Sequence, residues 1–143
     1  MRRSIGVALV VLVVAGAAKM QAQKRPAAPA PGVKAVASVA EIMSLMTIPL
    51  SNAVFEAGAE PPKDDAGWET VRGQAVALAE AGNLLMIGSR AKDRAAWMKF
   101  SRAQVDAAEA AAKAAAAKNA GQLSTAADTL YETCATCHKD YLK

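Results

Sequence analysis

Cys134-Ala135-Thr136-Cys137-His138 spells CxxCH, and it takes up both cysteines and the single histidine of the 143-residue chain. Two thiols separated by two residues and followed at once by an imidazole are what covalent attachment of a c-type haem requires. Each thiol adds to a haem vinyl group, and the imidazole binds iron. A structural disulfide or a thioredoxin-like redox pair also reads CxxC, but such a pair opens a helix after a strand, and no strand-like alternation precedes Cys134. A zinc site takes about four Cys/His-type ligands, and this cluster offers three. The expected cofactor is therefore one haem c, with Cys134 and Cys137 as thioether anchors and His138 as an iron ligand. Only five residues follow His138 and none is a methionine, so a sixth iron ligand must come from upstream.

The start of the chain bears on compartment. Arg2 and Arg3 precede an apolar run from Ile5 to Ala18 and then small residues, the pattern of a signal peptide over residues 1–22, cleaved after Ala18 or Ala22. The run is shorter than the ~20 residues of a membrane span, so membrane association is expected only if the segment stays uncleaved. Export to the periplasm agrees with haem attachment, because thioethers of this kind form after translocation. The formal net charge of +4 includes Arg2, Arg3 and Lys19, and removal of these three leaves about +1. A nearly neutral chain without a basic stripe gives no case for nucleic acid. Residues 23–34 contain KRPAAPAPG and are expected to form an extended linker. A single domain over 35–143 remains, short enough that a buried haem would add substantially to its core.

The elements that must position the motif are helical, since this domain is rich in Ala, Leu, Met, Glu and Lys. A first helix over Ala35 to Ala57 places Val36, Val39, Met43, Met46, Leu50 and Val54 on one face. Pro49 should kink it or remove a hydrogen bond near Leu45. Gly58 to Lys63 reads as a loop. A second helix starts at Asp64 or Asp65 and runs to Ile87, with Trp68, Val71, Ala75, Leu78, Leu85 and Met86 inward. A third follows Asp93 to Ala117, with Trp97, Phe100, Gln104, Ala108, Ala111 and Ala115 sharing a side. Asn119 caps a fourth, with Gln122 completing a capping-box-like pair. On this last helix Cys134, Cys137 and His138 fall on the face continued by Leu130 and Tyr141. Together these segments predict an all-α, antiparallel four-helix bundle with the haem inside it. Trp68 and Trp97 read as packing anchors for the second and third helices.

A single exported domain of four helices, with CxxCH in the last helix at the C-terminal end and Tyr141 three residues after His138, resembles the class II cytochromes c, the family that includes cytochrome c′. The resemblance covers residues 35–143. It implies that His138 is the proximal iron ligand and that a first-helix side chain faces the opposite axial position. Members with methionine there are low-spin electron carriers; members with a non-ligating apolar residue are five-coordinate and bind small gases. The family also includes homodimers.

Met43 and Met46 both lie on the first helix's apolar face, and periodicity does not choose between them; a methionine on such a stripe is also ordinary core filling. The family's placement of the distal residue early in helix 1 makes Met43 the first choice and Met46 the reserve, while Met86 or Met98 would need another arrangement. The expected function is periplasmic electron transfer between redox partner proteins with His/Met ligation. The alternative is a five-coordinate protein that binds nitric oxide or carbon monoxide. An enzyme is not expected, because no second histidine exists to assist O–O cleavage as an acid or base.

Overall fold

Ser38 decides where the first helix begins. Its hydroxyl accepts from the Glu41 amide, and the Glu41 carboxylate accepts from the Ser38 amide at 2.8 Å, a reciprocal capping box. The computed structural model describes residues 32–142, within the compact unit Gly32–Lys143. The expected signal peptide and most of the linker lie outside the described residues.

The first helix is α1 (Val39–Ile42), a π turn (Met43–Thr47) and α2 (Ile48–Ala59) in direct succession. α3 (Asp65–Leu85), a short 3-10 turn (Gly88–Arg90), α4 (Arg94–Ala116) and α5 (Ala120–Tyr141) follow. No strand occurs among the described residues. α3 packs along α4, α4 along α5, and α2 against both α3 and α5, so four helices pack together. The expected helical architecture is present.

Two expectations need correction. The first helix starts four residues later than Ala35, and Val36, placed on the buried stripe, lies ahead of it at 86% exposure. Gly58 belongs to α2 rather than a loop. A Cβ there would come within 2.7 Å of the Ala127 Cβ, so its missing side chain lets α2 and α5 approach closely. At Pro49 the expected disturbance takes the form of a widened preceding turn, with the Ile48 amide donating to the Met43 carbonyl five residues back. Proline cannot donate and its ring crowds the carbonyl of the preceding turn. Pro49 sits in the first turn of α2, where a missing donor costs little.

The remaining caps follow the sequence. Asp64, Asp93 and Asn119 accept from the amides of Gly67, Ala96 and Gln122, at the starts of α3, α4 and α5. Gly88 turns the chain after α3 with φ of 63°, a backbone conformation that favours glycine. Arg90 then donates to the carbonyls of Ala37 and Leu84, tying the segment before α1 to the end of α3.

The core has two parts. The larger holds Val54, Trp68, Leu78, Ala108, Leu123 and Leu130, with alanines of α4 allowing close helix contact. The smaller comprises Ile42, Ala81, Leu85 and Trp97, beside Met43 and Tyr141. It lies at the end of the bundle that carries CxxCH.

Candidate functional site

Helical spacing sets the geometry of the motif. Cys134 and His138 are one turn apart on α5, and Cys137 precedes the imidazole directly, so all three border the same cleft. The opposite wall is the first helix, which contributes Met43, Thr47, Ser51 and Phe55; Trp97, Phe100, Ser101 and Gln104 of α4 line the interior. The cleft has a cavity volume of about 170 Å³. It continues toward the end of the bundle past Val39, Tyr141 and Lys92, a region that again includes Met43, Trp97, Cys137 and His138.

The structure thus brings together four of the five residues singled out from the sequence. Met46, the fifth, borders a different hollow, with Leu84, Ile87 and Ala37. It faces the α3 side of the first helix and packs on the smaller core.

The thiols are free and half-buried. Burial pushes the Cys134 thiol above its ordinary range, and burial followed by the charges of Cys134 and Asp140 does the same for Cys137. Redox-active CxxC thiols show the opposite shift, produced by a position at a helix N-terminus. These lie in the C-terminal part of α5, where the helix dipole opposes a thiolate. Among the described residues no group of three or more His, Cys, Asp or Glu side chains is arranged to hold a metal ion. In CxxCH haem attachment the two sulfurs bond to carbon and only the imidazole reaches the metal, so convergence on one point is not needed.

Several contacts fix the helix that carries His138. The Tyr141 hydroxyl donates to Asp93 Oδ2 at 2.6 Å, linking the last turn of α5 to the residue that caps α4. The Tyr141 ring meets Trp97 edge to face, with centroids 5.0 Å apart, and Phe100 at 6.0 Å. The Trp97 indole nitrogen donates to the Leu85 carbonyl at 2.8 Å, satisfying an acceptor left open by the end of α3. Phe55 and Tyr131 also border the cleft and form a second edge-to-face pair at 6.2 Å.

The sequence reading missed the polar residues of this cleft other than Gln104. Thr47, Ser51, Ser101 and Gln104 are the buried polar residues among those described, and all four border it. Their signal is visible in retrospect: Thr47 and Ser51 follow Met43 at four-residue steps, and Ser101 follows Trp97 in the same way.

The donor set fits a covalent haem. An imidazole and a thioether come from different helices, two thiols lie beside the imidazole, and aromatic and aliphatic groups dominate the walls. Comparisons with protein-family models, with curated proteins and with solved structures found no match.

Proposed function

We propose that this protein is an exported c-type cytochrome of the class II type, which holds one covalent haem between its first helix and α5 and passes electrons between periplasmic redox partners. One observation carries the reading: Cys134, Cys137 and His138 share a largely apolar cleft with Met43, whereas Met46 is turned away from it. Cys134 and Cys137 would hold the haem through thioethers, and His138 and Met43 would be its iron ligands. When bound, the haem supplies a one-electron iron couple whose potential is raised by His/Met ligation and burial.

The chain's own groups perform the positioning. Asp93 and Tyr141 hold the last turn of α5 against α4 and so fix the height of His138. Trp97 and Phe100 give the cleft shared by Met43 and His138 an apolar wall. The π turn begins at Met43, and its carbonyl bond to Ile48 sets the rotation of that residue about the helix axis. Rigid placement of His138 and Met43 would suit a bound group that changes oxidation state with little rearrangement.

Optical spectra of the protein produced with periplasmic haem attachment test the reading. A covalent-haem absorption, a low-spin spectrum and a methionine-to-ferric-iron band that is lost in Met43→Ala but kept in Met46→Ala are expected. A high-spin spectrum unchanged by Met43→Ala would remove Met43 from the iron. The absence of covalent haem would overturn the cytochrome reading altogether.

A further inference from the structure

Thr47 is at 4% exposure, borders the cleft, and its Oγ1 has no hydrogen-bond partner. Every other threonine among the described residues donates to a backbone carbonyl of its own helix. Thr70, Thr125, Thr129 and Thr136 reach four residues back and Thr133 three. At Thr47 the carbonyl four residues back is that of Met43, which accepts the Ile48 amide across the π turn. The hydroxyl stands unpartnered at the end of this widened turn, at a position where an unsatisfied polar group is costly. It lies one turn from Met43, which borders the same cleft as His138. Ser101 and Gln104 border the same cleft from α4, and Gln104 Nε2 makes only a long bond of 3.4 Å to the Leu78 carbonyl.

Resting on the haem reading above, we propose that Thr47 is the hydrogen-bond donor for a small anionic ligand that takes the iron position opposite His138 when Met43 leaves it, within the polar floor formed with Ser101 and Gln104. Such a ligand binds through one atom and accepts a hydrogen bond at another, so a fixed donor beside the metal selects it over a ligand with no good acceptor. Met43 and Thr47 stand four residues apart on the π turn, which makes the donor a neighbour of the coordination position that Met43 vacates. The exchange is a substitution at iron with no net electron transfer.

The experiment uses azide with the ferric protein and carbon monoxide with the ferrous protein, both in a Met43→Ala background that opens the position. Adding Thr47→Val should weaken azide binding by about tenfold, as expected for loss of a hydrogen bond to a charged group, while carbon monoxide affinity changes by less than about threefold. Thr47→Ser should restore azide affinity. Unchanged azide binding, an equal loss for both ligands, or failure of Thr47→Ser to restore would overturn the assignment. Thr47→Val alone should unfold at or above the parent temperature, because it removes a hydroxyl without a partner. A lower midpoint, or failure to fold, would show that the hydroxyl serves the protein's own structure and would equally overturn the assignment. Haem absorbance measured before titration separates these outcomes from failure of the cytochrome reading itself.

Discussion

Replacing Trp97 by phenylalanine tests how the bundle end that carries His138 is held. Trp97 is 4% exposed, and its indole nitrogen donates at 2.8 Å to the Leu85 carbonyl, one of the acceptors that the end of α3 leaves without a helical partner. Phenylalanine removes the donor and leaves that acceptor buried, at a cost of about 1–3 kcal/mol. It also buries roughly 40 Å² less apolar surface, worth about 1 kcal/mol at ~25 cal/mol per Å². The expected loss is therefore about 2–4 kcal/mol, large against the 5–15 kcal/mol typical of a whole domain. Urea denaturation would read it as a lower midpoint with an unchanged slope. Trp68, packed in the larger core cluster, is the comparison, since Trp68→Phe reduces burial without uncapping α3 and should cost only about 1 kcal/mol. A loss below about 0.5 kcal/mol for Trp97→Phe, or equal losses at both positions, would refute the assignment of this hydrogen bond as a stabilising cap on α3.

The Tyr141 and Asp93 pair should show itself in pH dependence. The Tyr141 hydrogen bond holds the Asp93 carboxyl below its ordinary value, and the same bond pushes the Tyr141 hydroxyl up to about 12. Asp93 therefore contributes stability that is present above its unfolded pKa of about 4 and lost as pH falls through the lower folded value. Tyr141 contributes stability that is full below about pH 10 and lost as pH rises toward 12. The stability difference between the parent and Tyr141→Phe should be level from about pH 5 to 9 and shrink on both sides, measured by denaturation across pH; a difference constant down to pH 2 would count against the pair. Two glycines should respond with opposite signs in thermal unfolding. Gly73→Ala meets nothing within 4 Å and should stabilise by about 0.5–1 kcal/mol through helix propensity. Gly58→Ala drives a methyl to within 2.7 Å of Ala127 and should destabilise, because overpacking of about 1–3 kcal/mol exceeds the propensity gain.

Legibility differed by element. The starts of α3, α4 and α5 were readable because Asp64, Asp93 and Asn119 satisfy amides only three residues away, a local interaction. The start of α1 was equally local but was signalled by Ser38 and Glu41, which the apolar pattern beginning at Val36 obscured. The consequence of Pro49 was partly legible: a disturbed turn follows from its missing donor, but a π turn is one of several ways to relieve the crowding, and packing selects among them.

The sequence by itself determined the chemistry at α5. CxxCH places two thiols and an imidazole on one helix face whatever surrounds them, because the 3.6-residue repeat is set by the backbone. The tertiary structure alone decided what that face meets. Met43 and Met46 have the same composition and nearly the same phase, yet one borders the cleft with His138 and the other the hollow beside α3. Periodicity orients a side chain relative to its own axis, whereas the partner it meets depends on how neighbouring helices pack and on the register changed by one wide turn. The unpartnered hydroxyl of Thr47 likewise shows only in the tertiary structure, at the end of that turn, since every other threonine among the described residues bonds to its own helix.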